Sequence, residues 1–329
     1  MRVDELRELL GRHEAAALRQ IAVELYKAVP KASKTSYMDS FLQTFTPDTK
    51  VARRKAEPVS FGEVALEVES FIEDADAGFY FAPNRIVPKA QRSKWRFTAR
   101  RLIKGLLAAR GEDGEEAAVL LMWVYDMLCH ACGVYIFPTD SPFSAIGQTQ
   151  PELLELALSR LFLSGINEER VRLAVYTTVD GSLDRETHPL SPELTLVACL
   201  KTNPARELAR EVAARFDDDY PAYLESKQQF KNSYENSYSK EYRHNRAVYL
   251  HGFLSLALRE PEAGIAHYQR HFQERNPEVK LYCLLYYLLG GDDLAELWLR
   301  EYDRAVAAGV KPRRQLVEEY QRRLAAKAG

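Results

Sequence analysis

The sequence predicts an all-α protein, and three observations carry this prediction. Apolar residues recur three and four positions apart along most of the 329-residue chain, which is the period of a helix with one buried face. Runs that alternate apolar and polar residues are almost absent, and no Asn-Gly or Asp-Gly turn joins two such runs. Proline and glycine fall between the helical segments. We predict antiparallel helical hairpins, with a helical bundle lobe followed by a repeat-like α-solenoid lobe.

The composition is that of an ordinary globular protein. Hydrophobic residues make up 46% and charged residues 28% of the chain, and the formal net charge is −2. This balance gives no overall electrostatic attraction to nucleic acid or to an anionic membrane, so any such binding requires a local patch. The chain has four cysteines and starts with polar residues unlike a signal peptide, so we predict a bacterial cytoplasmic protein with free thiols.

Three helices are expected before residue 46 and a fourth after residue 60. The first three cover about 3–12, 14–29 and 36–45, and a polar loop follows over 46–58. The fourth is expected over about 61–75, with Leu66 outside its apolar face. That face consists of Phe61, Val64, Ala65, Val68, Phe71 and Ile72.

The most apolar stretch of the chain runs over 117–137 and is long enough to cross a bilayer. Asp126 near its middle would be costly in lipid, and Gly133 ends its helical pattern. We therefore interpret it as a helix buried inside a bundle, preceded by a helix over about 90–109, and we predict no membrane association.

Two segments rich in turn residues, 137–151 and 178–192, are candidate domain boundaries. The second is favoured, which predicts a helical bundle domain over 1–180 and a helical-hairpin, repeat-like domain over 190–329. The last four helices are expected to begin near 261, 277, 294 and 312. This spacing matches the length of a tetratricopeptide-type unit, although the diagnostic residues of that repeat do not align.

A basic helix over 89–110 is the first candidate site. Arg92, Arg96, Arg100 and Lys104 recur every four residues and form one stripe, which can hold phosphates or an acidic protein partner. The favoured interpretation is different: an upstream acidic helix with Glu63, Glu67 and Glu73 would neutralise the stripe inside the fold.

Cysteine and histidine pairs are the second candidate, as metal ligands. Cys129 and Cys132 form a C-x-x-C pair at the end of the apolar helix, where a buried structural pair is favoured over zinc binding or redox chemistry. His267 and His271 lie four residues apart on one expected helix and can both face a metal. Histidines at the surface or between helices are the favoured alternative.

Three segments of the first half resemble a bacterial family of small helical proteins without a known activity. They are VDELRELLGRHEAAALRQIAVELYKAV, KWRFTARRLIKGLLA, and AVLLMWVYDMLCHACGVYIF with the following PFSAIGQTQPELLELALSRLF. The resemblance covers about residues 3–163. It implies a helical fold and transfers no site residues.

The function predicted from these features is a non-enzymatic protein-interaction scaffold or adaptor with a protein partner. A nucleic-acid-associated protein that uses the helix over 89–110 is one alternative, and a metal-binding helical protein is the other. No phosphate-binding glycine loop, nucleophile elbow or catalytic carboxylate frame is recognisable. The sequence therefore leaves catalysis open while favouring its absence, and it predicts no cofactor.

Overall fold

The chain folds as an all-α protein in a computed structural model that describes residues 17–18, 60–163, 165–226 and 237–328. Helices account for 75% of these residues, and no β-strand occurs among them. The all-α prediction is therefore confirmed. The three helices expected before residue 46 lie outside the described residues, except that Ala17 and Leu18 are helical.

Fifteen α-helices, α1–α15, make up the described part of the chain. The first seven are α1 (Phe61–Asp76), α2 (Lys89–Arg92), α3 (Trp95–Ala108), α4 (Asp113–Gly133), α5 (Pro142–Ile146), α6 (Gln150–Leu163) and α7 (Glu168–Asp180). The other eight are α8 (Ser191–Cys199), α9 (Asn203–Ala214), α10 (Phe216–Ser226), α11 (Ser237–Ala257), α12 (Pro261–His271), α13 (Pro277–Cys283), α14 (Ala295–Ala307) and α15 (Arg314–Ala328). A π-helical turn, Leu284–Leu288, extends α13, and a short 3-10 turn precedes α14.

Helix α1 begins where its capping residues predict. The Ser60 hydroxyl accepts a hydrogen bond from the Glu63 amide, and the Glu63 carboxylate accepts one from the Ser60 amide, which forms a capping box. The predicted apolar face of α1 packs into the core, and Leu66 is 68% exposed. The face predicted for this helix is confirmed.

Helix α4 lies at the centre of the first hydrophobic cluster, packed against α1, α3 and α6. Twelve of its 21 residues are buried on nearly all sides, which explains why the segment is apolar without a single polar face. Within the described residues, no helix is both long enough and apolar enough to span a membrane. The interpretation of 117–137 as a helix inside a bundle therefore agrees with its surroundings.

Two expected helices differ from their predicted form. The helix over 90–109 is interrupted at residues 93–94, directly before Trp95, whose ring stacks on Phe137 in the core at a centroid distance of 4.0 Å. The helix expected from Pro277 becomes a π-helix at Leu284. This leaves the Leu285 carbonyl free to accept a hydrogen bond from the Trp298 indole at 3.1 Å.

Two hydrophobic clusters meet at α8 and α11. The first extends from Ala65 to Leu254 and the second from Leu190 to Leu316. The first cluster thus includes residues on both sides of the predicted boundary, and the described residues from 60 onward form one compact unit. Domains over 1–180 and 190–329 stay a prediction, as do the antiparallel hairpins and the solenoid arrangement.

A buried ion pair joins the helices at this meeting point. The Arg246 guanidinium on α11 donates to the Glu193 carboxylate on α8, and both side chains are at most 3% exposed. The same guanidinium donates to the Thr178 carbonyl at 2.8 Å and to the Gly181 carbonyl. Arg246 therefore fixes the end of α7, the start of α8 and the middle of α11 relative to one another.

Replacing Arg246 by Met is expected to lower the free energy of unfolding by about 3–5 kcal/mol, because Glu193 then stays buried without its counter-charge. The double variant Arg246→Met with Glu193→Leu should recover a large part of this loss. Urea denaturation of the full chain measures both effects. Arg314→Met, which breaks an exposed pair with Glu318, is the control and should change stability by less than about 1 kcal/mol. Equal losses of unfolding free energy in the single and double variants would contradict the stabilising role assigned to the Arg246–Glu193 pair.

Candidate functional site

An open groove of about 770 Å³ is lined by α8, the end of α11 and the π-helical turn. We call it the α8/α11 groove. Its walls come from six segments: the α7–α8 connection, α8, α9, the C-terminal end of α11 with the residues after it, the π-helical turn, and the loop before α14. Its size falls within the range of ligand sites in proteins.

Backbone strain is concentrated at this groove. Leu190 and Arg259 have φ values of 65° and 66°, and they are the two non-glycine residues with positive φ in the described part of the chain. Both line the groove. The left-handed conformation costs a residue with a Cβ about 1–2 kcal/mol, and such strain is found most often at functional sites.

Arg259 occupies the position after α11 where glycine is normally found. The Arg259 amide donates to the Leu256 carbonyl at 3.1 Å, and the Glu260 amide donates to the Ser255 carbonyl at 2.9 Å. These two bonds define a Schellman motif, in which glycine is favoured because it lacks a Cβ. The chain therefore carries a long cationic side chain at a position where the backbone favours none.

The π-helical turn is a third irregular feature of the same groove. Tyr286, Tyr287 and Leu288 belong to the turn and line the groove, and single π turns are frequent at functional sites. Gly290 follows directly, and a Cβ at this position would approach the Tyr286 carbonyl oxygen to 2.4 Å. Glycine is therefore required where the chain leaves the turn.

The groove combines an apolar surface with two arginines, one of which is held by hydrogen bonds to described residues while the other is not. Arg206 is held in place, since it donates to the Leu200 carbonyl at 2.9 Å and to the Ala257 carbonyl at 3.4 Å. The exposed Arg259 guanidinium forms no hydrogen bond or ion pair with a described residue. The apolar surface comes mainly from Leu190, Leu194, Val197, Phe253, Leu256 and Leu294. This arrangement suits an amphipathic ligand with an anionic group.

The basic stripe is not neutralised by the acidic helix, contrary to the favoured interpretation. Within the described residues, Arg92, Arg96, Arg100 and Lys104 form no ion pair. Instead, Arg101 on the adjacent side of α3 pairs with Glu67 on α1, while Glu63 is used in the α1 capping box. The stripe itself is therefore charged and uncompensated by carboxylates, and its role as an anion-binding site stays a prediction.

The two cysteines of the C-x-x-C pair are free thiols. The Gln150 amide donates to Cys129 Sγ at 3.2 Å, and burial together with Asp126 raises the pKa of Cys129 to about 12. Burial also raises the pKa of Cys132. Because the thiolate is the nucleophile and the metal ligand, these surroundings oppose both roles at neutral pH.

The histidines of α11 and α12 form a stack. The His251 and His267 rings lie at a centroid distance of 3.6 Å and an angle of 16°, and His271 follows at 4.4 Å from His267. Burial and neighbouring positive charges lower the pKa of His251 to about 3 and that of His267 to about 4. Across the described residues, no three His, Cys, Asp or Glu side chains are placed to hold a metal ion. The metal-ligand prediction for His267 and His271 is otherwise untested.

Asp76 is a feature that the sequence did not reveal. Neither of its carboxylate oxygens has a hydrogen-bond partner, and burial followed by repulsion from Asp126 raises its pKa to about 7. Only the fold brings the last residue of α1 close to the middle of α4. Asp76 is therefore partly protonated at neutral pH.

No protein-family profile, curated protein or solved structure matches this chain. The candidate site therefore depends on the geometry of the groove and of the basic stripe.

Arg259→Gly is expected to raise the free energy of unfolding by about 1 kcal/mol, because glycine adopts the left-handed conformation without the Cβ penalty. Urea denaturation of the full chain measures the change. Arg275→Gly, at an exposed position without positive φ, is the control and should give no stabilisation. A loss of stability in Arg259→Gly would contradict the strain assigned to this position.

Acid is expected to destabilise the protein through the histidine stack. The folded-state pKa of His251 lies below that of the unfolded chain, so unfolding takes up a proton as the pH falls below about 6.5. The positive charges that face His251 belong to Arg210 and, when protonated, to His267 and His271. Between pH 6 and 5 the wild type should lose about 1 kcal/mol more than His251→Leu. Urea denaturation at several pH values tests this, and parallel pH profiles of the two proteins would contradict it.

Proposed function

We propose that this chain is a non-enzymatic interaction protein whose α8/α11 groove binds an amphipathic segment of a partner protein that carries an acidic side chain. The observation that carries the proposal is Arg259, whose guanidinium has no partner among the described residues and which lines an apolar groove on a strained backbone. A left-handed backbone at a non-glycine residue persists only where the surrounding structure holds it in place, and it is most often found at functional sites.

The shape of the groove favours a peptide segment over a small molecule. A drug-sized ligand is usually enclosed on most sides by its pocket, whereas this groove is open to solvent and is built from six segments. An amphipathic helix places apolar residues at spacings of three and four into such a groove. Leu194 and Tyr286 are both about half exposed here and offer apolar surface to such a helix.

Charge supplies the second part of the recognition. A carboxylate that meets a guanidinium forms a charge-assisted hydrogen bond, which is about twice as strong as a neutral one. Arg259 is available for this contact because no described residue occupies it. Asp293 also lines the groove and would repel a second carboxylate, which favours one acidic residue at a defined position in the partner segment.

A random peptide library displayed on phage and selected on the full-length chain tests this function. The enriched peptides should share apolar residues with helical spacing and one Asp or Glu. Isothermal titration calorimetry of one such peptide should show affinity lower by about tenfold for Arg259→Gly, since a hydrogen bond between charged groups contributes about 1.5 kcal/mol or more. This variant is expected to be more stable than the wild type, so unfolding cannot explain the loss.

Leu194→Glu should abolish binding of the same peptide, because a carboxylate on the apolar wall would be buried on complex formation. Arg275→Ala and Leu163→Glu change exposed residues outside the groove and serve as matched controls that keep the wild-type affinity. Failure to enrich any peptide, or affinities that change in neither groove variant, would refute the groove as the binding site.

A further inference from the structure

The surface around α3 carries an unusually one-sided charge. Residues 77–111 contain no Asp or Glu. Within the described residues, Arg101 is the single member of this segment that pairs with a carboxylate. The basic residues are Arg85, Lys89, Arg92, Lys94, Arg96, Arg100, Arg101, Lys104 and Arg110. A positive surface therefore exists here although the whole chain is slightly acidic.

One of these cations is held in a fixed position. Arg100 Nε donates to the Ile146 carbonyl at 2.7 Å and Nη2 donates to the Ala145 carbonyl at 3.1 Å, at the C-terminal end of α5. Carbonyl oxygens hold the guanidinium without neutralising its charge, and Nη1 stays without a described partner. A cation that is already ordered loses less conformational entropy when it binds an anion.

An exposed aromatic ring lies within cation–π distance of two guanidinium groups on the same helix. Phe97 is 53% exposed. The Arg96 guanidinium carbon is 4.9 Å and that of Arg100 is 5.9 Å from the centre of its ring. Lys104 continues the stripe one turn beyond Arg100, about 12 Å along the helix from Arg96. We call Arg96, Phe97, Arg100 and Lys104 the α3 basic face.

We propose that the α3 basic face binds single-stranded nucleic acid, with a base stacked on Phe97 and phosphates bound by Arg96, Arg100 and Lys104. Non-sequence-specific binding of single strands uses this combination of a cationic track and an aromatic ring. The base must be unstacked to reach Phe97, which favours a single strand over a duplex. The carboxylates of an acidic peptide would satisfy the cations but would not stack on the ring.

Fluorescence anisotropy with the full-length chain and a labelled single-stranded oligo(dT) tests this proposal. Three phosphate contacts predict that affinity falls about twentyfold between 50 and 200 mM salt, since each contact contributes a slope of about 0.7 for single strands. A duplex of the same length and a poly-glutamate peptide are the competitors. Both should compete much more weakly than unlabelled oligo(dT).

Variants separate the stacking contact from the phosphate contacts. Phe97→Leu should weaken binding about tenfold and leave the salt dependence unchanged, whereas Phe97→Trp should retain binding. Arg96→Gln and Lys104→Gln should each lower both the affinity and the salt slope, by about 0.7, while Arg96→Lys should keep the slope. Arg100 is left unchanged because it also caps α5. All the changed side chains are exposed, and urea denaturation verifies that the variants fold.

Four outcomes would overturn the proposal. These are no binding of oligo(dT) at 50 mM salt, an affinity insensitive to Phe97→Leu, equal competition by the duplex, and equal competition by poly-glutamate. The last would instead indicate an acidic protein partner for this face. None of these outcomes affects the proposed function of the α8/α11 groove, because the two surfaces share no residue.

Discussion

The structure depends on the buried contact between Arg246 and Glu193. A charge without water around it is costly, so each charge needs the other, and the Arg246 guanidinium also donates to the carbonyls of Thr178 and Gly181. These partners come from α7, α8 and α11, which are the elements where the two hydrophobic clusters meet. Apolar packing alone would permit these helices to slide, whereas a guanidinium with three fixed acceptors permits one arrangement.

The α8/α11 groove follows from this arrangement. Close approach of α11 to the π-helical turn needs Gly252, where a Cβ would lie 2.7 Å from the Leu288 side chain. The ends of α11 and of the α7–α8 connection then adopt left-handed backbone at Arg259 and Leu190. Strain, an open apolar surface and a cation unpaired among the described residues thus occur together in this groove. A rigid support for an irregular surface is the usual design of a binding site.

The helix faces and buried segments that follow from local periodicity could be predicted from the sequence. The apolar face of α1 with Leu66 outside it, and the burial of α4 around Asp126, follow from spacing and composition alone. The groove could not be predicted, because its lining runs from His188 to Leu294 and only the fold brings these segments together. One signal was present: Arg259 stands where a helix ends, and glycine would have been expected there.

Charge pairing was the other point at which sequence reasoning failed. The acidic α1 does form an ion pair with the basic α3, but the pair joins Glu67 and Arg101. Arg96, Arg100 and Lys104 take no part in it, because their stripe lies on a different side of α3. Residue spacing identifies a stripe but does not say which neighbour it faces. Asp76 was missed for the same reason, since its proximity to Asp126 is a property of the packed helices.

Two separate binding surfaces on one helical unit are proposed, and hydrogen–deuterium exchange of the full-length chain tests their independence most directly. A peptide selected on the protein should slow exchange in residues 188–197, 253–259 and 286–294 and leave 95–104 unchanged. Oligo(dT) should slow exchange in 95–104 and leave the groove segments unchanged. Protection of the same segment by both ligands, or of neither surface by its own ligand, would contradict the account.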